Sequence, residues 1–138
     1  RDGIYYHQNT NELVNGIFET FYYNGQLQSR ENYTDGKVDG LQEWFYPNGQ
    51  LELRRNYKDG ERDGLWEEYH DNGQLSGRQN FINGELNGLG ESFYENGQLE
   101  FRENYRDGEL DGLQEDFDEE GNLTRTMTPA NDRDPIEL

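Results

Sequence analysis

Gly16, Gly40, Gly64, Gly88 and Gly112 stand 24 residues apart, and each opens a copy of one unit. Gly40 to Asp63 reads GLQEWFYPNGQLELRRNYKDGERD. Gly16 to Asp39 reads GIFETFYYNGQLQSRENYTDGKVD, Gly64 to Asn87 GLWEEYHDNGQLSGRQNFINGELN, and Gly88 to Asp111 GLGESFYENGQLEFRENYRDGELD. A fifth copy, GLQEDFDEEGNLTR, starts at Gly112 and fades. Self-similarity at a fixed period of this length marks a solenoid or an extended repeat sheet.

Within one unit, Leu41 to Tyr46 is short, aromatic and bounded by Gly40 and Pro47, which predicts a strand. Pro47-Asn48-Gly49 predicts a reversal, because proline presets the first position of a type I turn and glycine accepts the left-handed closing conformation. Every copy keeps that glycine, at Gly25, Gly49, Gly73, Gly97 and Gly121. Leu51 to Tyr57 reads as the return strand, and Asp59-Gly60 with Asp63-Gly64 as a second reversal into the next copy. Joined hairpins make an all-β, single-layer antiparallel meander of 24-residue hairpins. About ten strands at roughly 4.8 Å spacing give a ribbon on the order of 45 Å long.

A three-residue turn sets Phe45 opposite Leu51. Leu41, Glu43 and Phe45 are then expected on one side with Leu51, Leu53 and Tyr57. A two-residue Asn-Gly turn would shift the register by one residue, and Pro47 favours the longer turn. Glu43 and Arg54 recur in the other copies as Glu19, Glu67, Glu91 and Glu115 and as Arg30, Arg78 and Arg102. An acid and a base at fixed offset predict a structural ladder of ion pairs along the sheet.

Leu, Ile, Val and Phe make up just under a fifth of the chain, and 30 acidic against 12 basic residues give a net charge of −18. Such values border on disorder. The 10 Tyr, 7 Phe and 2 Trp argue for a fold, because they recur at fixed places in the unit. The charge repels nucleic acid and anionic lipid and attracts basic partners. Without cysteine there are no disulfides and no thiolate chemistry. No apolar run approaches the roughly 18 residues of a membrane span. No signal peptide is visible, although the chain starts at Arg1 without Met. A soluble cytoplasmic protein is expected.

The unit G-L-x-E-x-F-Y-x-N-G-Q-L-x-x-R-x-N-Y-x-D-G-x-x-D-G resembles the MORN repeat in its variant bacterial form, over about residues 15 to 125. The N-G-Q-L and N-Y-x-D-G segments carry the likeness most closely. The resemblance implies a single-layer antiparallel sheet of successive hairpins. It also implies a scaffold, a membrane-associated protein or an antitoxin of the YwqK type that neutralises a toxin by binding it. The W-x-x-G-x-x-x-G-x-G spacing of the usual repeat is not kept, and acid is more abundant, which weighs against lipid binding. Residues 1–14 read as a degenerate half-repeat whose Ile4, Tyr5 and Tyr6 supply a capping strand. Residues 15–125 form the sheet, with copies near 16–39, 40–63, 64–87, 88–111 and 112–125. In the fifth copy Asp116, Asp118, Glu119 and Glu120 replace aromatics and turn residues, as a terminal cap requires. Residues 126–138 read as a loose tail broken by Pro129 and Pro135.

Chemistry finds little support. A nucleophile needs a base beside it, yet of two histidines His70 stands where other copies have Tyr22, Tyr46 and Tyr94. It reads as an aromatic variant, no enzyme is expected, and no cofactor is implied. The D-G-x-x-D-G loops crowd oxygen ligands in a way calcium accepts. One copy, however, has Asn83 and Asn87 there, and turn chemistry explains all four copies, so no metal is expected.

Function should lie where the copies differ. Three columns vary: Phe18, Gln42, Trp66, Gly90, Gln114; then Thr20, Trp44, Glu68, Ser92, Asp116; then Tyr22, Tyr46, His70, Tyr94, Asp118. They are expected on the side opposite Leu41 and Phe45. This brings Trp44, Tyr46, Trp66, His70 and Tyr94 together at the centre, with Glu52, Glu68 and Glu100 close by. Aromatic anchors rimmed by acid suit a basic protein partner, while the competing reading is that the aromatics pack on one another for stability. The function expected is a non-enzymatic antitoxin or immunity protein that blocks a basic, nucleic-acid-targeting toxin. The alternative is a scaffold or self-associating repeat module.

Overall fold

The computed structural model describes residues 4–7 and 12–128. Among them there is no helix, and one open antiparallel sheet runs through the repeats. Its main strands are β1 (Gly16–Phe21), β2 (Leu27–Thr34), β4 (Gly40–Phe45), β5 (Leu51–Lys58), β6 (Glu61–Tyr69) and β7 (Leu75–Ile82). They continue with β9 (Gly88–Phe93), β10 (Leu99–Arg106), β12 (Gln114–Phe117) and β13 (Leu123–Met127). These ten lie side by side in chain order. The two-residue strands β3 (Lys37–Val38), β8 (Glu85–Leu86) and β11 (Glu109–Leu110) each pair back on the strand before them.

The first reversal is the expected three-residue turn. The Gly49 amide donates to the Tyr46 carbonyl (2.9 Å), the Tyr46 amide donates to the Gln50 carbonyl (2.8 Å), and Gly49 has φ 90°. Asn48 Oδ1 accepts the Gln50 amide at 2.8 Å, an Asx contact that locks the loop. The second reversal is a two-residue turn with both central residues left-handed, Asp59 at φ 50° and Gly60 at φ 84°. Asp and Asn tolerate that conformation, which is why the place is filled by Asp35, Asp59, Asn83 and Asp107. The Asp39 carboxylate is already engaged, since it accepts the Asp59 amide of the next repeat at 3.0 Å.

Phe45 pairs with Leu51 as expected, but one part of the expected register is corrected. A β-bulge sets Trp44 opposite Leu53, so Glu52 is an extra residue on the return strand. Leu53 and Tyr57 therefore lie with Gln42 and Trp44, not with Leu41 and Phe45. The same shift recurs at Ser76 and Glu100. The bulge also brings Arg54 opposite Glu43. One face thus carries a ladder in which Glu43 sits between Arg30 (3.7 Å) and Arg54 (3.2 Å). Arg78–Glu91 (2.6 Å) and Arg102–Glu115 (2.7 Å) extend it. The other, aromatic, face carries Trp44, Leu53, Arg55, Tyr57 and Trp66.

A single layer has no second layer to bury against, and its core is thin. Phe81 (3 % exposed) and Val14 are the buried apolar residues, while Gln42 is the largest fully buried side chain, at 0 %. Gln42 lies where the ladder between β2 and β4 is interrupted after Arg30↔Glu43. Its Oε1 accepts the Asn32 amide and its Nε2 donates to the Asn32 carbonyl, both at 2.9 Å. The side chain thus restores hydrogen bonds that the backbone opening removed.

Tyr6 bridges Leu13, the Tyr5 amide donates to the Gly36 carbonyl, and the Tyr5 ring meets Tyr33 at 5.3 Å. This segment covers the turn at Gly36, and among the described residues no strand pairs with the outer edge of β1. The last strand runs to Met127, and most of the tail lies outside the described residues.

Candidate protein-binding face

The variable columns stand on the aromatic face, because Gln42 and Trp44 alternate with Leu41, Glu43 and Phe45 along β4. The structure divides the expected cluster into three groups. Tyr46, His70 and Tyr94 follow one edge of the sheet and tie each repeat to the next. The Tyr46 hydroxyl donates to the Tyr69 carbonyl (2.6 Å) and Tyr94 to the Phe117 carbonyl (2.7 Å). His70 Nε2 makes the same bond to Phe93 at 2.9 Å, and a carbonyl partner places the ring proton on Nε2. Asp118, last in the column, instead turns its carboxylate onto its own loop, accepting the Asn122 and Glu120 amides. Those bonds hold its carboxyl below the usual carboxylate range.

Trp66 belongs to the packing of the sheet. Its Nε1 donates to the Asn56 carbonyl at 3.0 Å, and its ring lies 5.4 Å from Tyr57 and 4.7 Å from Phe81. Trp44 is joined to it through Arg55, whose guanidinium lies 5.7 Å from the Trp44 ring and 4.5 Å from the Trp66 ring. Arg55 Nε is buried without a hydrogen-bond partner.

The third group is acid. Glu52 and Glu100 are the exposed bulge residues, and Glu68 is exposed beside Leu53. None of the three has an ion pair among the described residues, in contrast to the paired glutamates of the ladder face. Lost hydration and then Glu52, Asp71 and Glu68 push the Tyr46 phenol up; lost hydration and then Glu100, Glu119, Asp118 and Asp116 do the same to Tyr94. The field along this edge is negative.

Cross-strand pairing sets Trp44, Leu53, Glu68, Gly77, Ser92 and Phe101 in one row across six strands. Gly77 leaves a gap in that row, and a cavity of about 240 Å³ lies there, lined by Leu53, Trp66, Glu68, Gly77, Gln79 and Ser92 among others. Of these, Leu53, Gly77, Gln79 and Ser92 were not among the expected site residues. The signal for them was a glycine inside a strand, which adds no turn and removes a side chain.

Tandem hairpins in one sheet, with a constant ladder on one face and variable residues on the other, define a repeat-built binding or scaffold module. The chain matches the family described as MORN repeat variant over residues 14–35, 38–59, 62–83 and 86–107. These windows take in well over half of its length, and the chain belongs to that family. No curated protein matches it. Among solved structures, it is similar to a chain in the crystal structure of the GtfA/B complex bound to UDP and GlcNAc. The two share 16 % identity at a TM-score of 0.32, over 93 % of this chain and 27 % of that one. It is also similar to a chain in the crystal structure of accessory secretory protein 1,2 and 3 in Streptococcus pneumoniae. There the identity is 19 % and the TM-score 0.25, over 80 % of this chain and 21 % of that one. The chain thus spans less than a third of either matched chain.

Proposed function

We propose that this chain is a non-enzymatic binding protein whose aromatic face takes a basic protein, most concretely an antitoxin or immunity protein that blocks a nucleic-acid-targeting toxin. The observation that carries this reading is the difference between the two faces. Ladder-face carboxylates are matched by arginines, whereas Glu52, Glu68 and Glu100 have no ion pair among the described residues and stand around the variable columns in a chain of net charge −18. Unpaired acid beside aromatic anchors steers and then holds a basic surface. A toxin that acts on nucleic acid carries such a surface, and the cytoplasm is where the two would meet.

The scaffold reading has one observation in its favour, the outer edge of β1, which no strand among the described residues covers and which offers backbone donors and acceptors to another strand. One experiment separates the two: capture from the native source lysate at low salt, mass spectrometry, and light scattering of the purified chain. A single basic protein, held one-to-one, released by salt and inhibited by the chain, is the expected outcome. Self-copies alone, or capture indifferent to salt, would move the assignment to a scaffold.

A further inference from the structure

We infer that the cavity over Gly77 seats one basic side chain, a lysine or arginine, of a protein partner. This rests on the reading of the chain as a binder of a basic protein and adds where that protein is anchored.

Gly77 and Gly90 both stand inside strands, and neither has the left-handed backbone that would demand glycine. A strand-interior glycine weakens its strand and marks places of close approach. A Cβ at either glycine would meet no atom within 3.0 Å, although the fit at Gly77 is tight. A Cβ on Gly90 would meet nothing nearer than the Glu103 and Gln79 side chains at 3.6 and 3.7 Å. At Gly77 the neighbour is the Glu91 carbonyl at 3.3 Å, yet the same place in other repeats holds Leu53 and Phe101.

The walls define the occupant. Leu53 and Trp66 are apolar and suit a methylene stem. Glu68, Gln79 and Ser92 present a carboxylate, an amide and a hydroxyl, none with a partner among the described residues. In the first repeat the corresponding row closes on itself, Thr20 Oγ1 and Ser29 Oγ lying 2.6 Å apart. Of the other lining charges, Arg78 and Glu91 pair with each other at 2.6 Å; Arg55, held between the indoles without an ion pair among the described residues, is not a lining group. Among the lining groups the uncompensated charge is that of Glu68. A cavity with Leu53 and Trp66 on its wall and one free carboxylate beside them selects a long cationic side chain.

The test is a titration of the isotope-labelled chain at low salt with blocked Gly-Lys-Gly peptide, read by amide chemical shifts, with the norleucine peptide as the uncharged control. The lysine peptide is expected to move the amides of Gly77, Gly90 and Ser92 more than those elsewhere, and the norleucine peptide to leave them in place. Gly77→Leu, which installs the side chain of Leu53, should abolish the local shifts. Glu68→Gln should weaken them roughly fivefold. Ser92→Trp, which installs the side chain of Trp44, is a second way of filling the cavity should Gly77→Leu fail to fold. Shifts spread evenly over the acidic surface, or indifferent to both fillings, overturn the seat. Capture of a basic protein by Gly77→Leu as well as by the natural chain also overturns it, and leaves the binder reading standing. A seat that takes the lysine peptide in a chain that captures no basic protein does the reverse.

Discussion

The hydroxyl of Tyr46 donates to the backbone carbonyl of Tyr69, 2.6 Å away and 23 residues further along the chain. Tyr22, His70 and Tyr94 repeat the bond at the same offset. Beside it Asn48 Nδ2 reaches the Asp71 carbonyl at 3.1 Å, again 23 residues on. These are contacts between repeats, not within one, and they add to the strand pairing that joins neighbouring hairpins. Tyr46→Phe removes the donor and leaves the ring. It is expected to lower stability by about 1 kcal/mol, seen as a lower urea midpoint with an unchanged slope. His70→Tyr keeps the bond and should leave the midpoint within error, whereas His70→Phe should match Tyr46→Phe.

Among the described residues Gln42 is the polar side chain that is wholly enclosed. Gln42→Leu keeps the volume but strands the amide of Asn32, whose carbonyl still accepts the Asp39 amide at 3.0 Å, and is expected to cost about 1–3 kcal/mol. Gln42→Trp copies the third repeat, where Trp66 Nε1 serves the Asn56 carbonyl, and should cost less. Thermal unfolding of the pair checks the order; a Leu variant as stable as the natural chain would mean that Asn32 finds water instead.

The turns were readable because Pro47, Gly49 and Gly60 each have a conformational reason to be where they are. So was the ladder, since Glu43 and Arg54 keep one offset in every repeat. The bulge was not. Leu51 and Leu53 are two apart, and period two puts them on one face; the extra residue, Glu52, carries no mark in its own chemistry. Everything after it on the return strand changed face, which hid Leu53, Gly77 and Gln79 from the candidate site. Tyr46, His70 and Tyr94 were visible as a column, but an aromatic residue that anchors a partner and one that anchors the next repeat look alike in sequence.

Glu43 serves Arg30 and Arg54 at once and is itself 8 % exposed. Glu19, at the end of the ladder, is exposed and serves Arg30 alone. Glu43→Gln is therefore expected to destabilise by about 1 kcal/mol and Glu19→Gln by only a few tenths. A double-mutant cycle of Glu43→Gln with Arg54→Met measures the coupling, and raised salt should shrink it.

Tyr105 donates to Glu103 Oε1 and Tyr33 to Glu31 Oε2, each at 2.6 Å. Lost hydration, then the bond to the carboxylate, pushes both phenols up, Tyr105 to about 12. In the unfolded chain a tyrosine ionises near about 10. The folded chain holds these protons longer, so their contribution to stability is whole below about pH 10, and that of Tyr105 is lost as the pH rises through about 12. An ultraviolet titration of tyrosinate should show a late-ionising class, and Tyr105→Phe should remove one member of it. A single transition near the ordinary value would contradict the assignment.

The two tryptophans call for opposite outcomes. Trp66 is fixed by the Asn56 carbonyl and by the rings of Tyr57 and Phe81, so Trp66→Ala is expected to cost about 3 kcal/mol and to lower binding through unfolding. Trp44 is half-buried and, among the described residues, meets only the Arg55 guanidinium among rings and cations, at 5.7 Å, so Trp44→Ala should cost clearly less than Trp66→Ala. Binding by Trp44→Ala is then the cleaner measure of the aromatic face, made on a chain that keeps its fold. If Trp44 is an anchor for a basic partner, dissociation quickens while the chain stays folded. An unchanged dissociation rate would confine Trp44 to holding Arg55 in place.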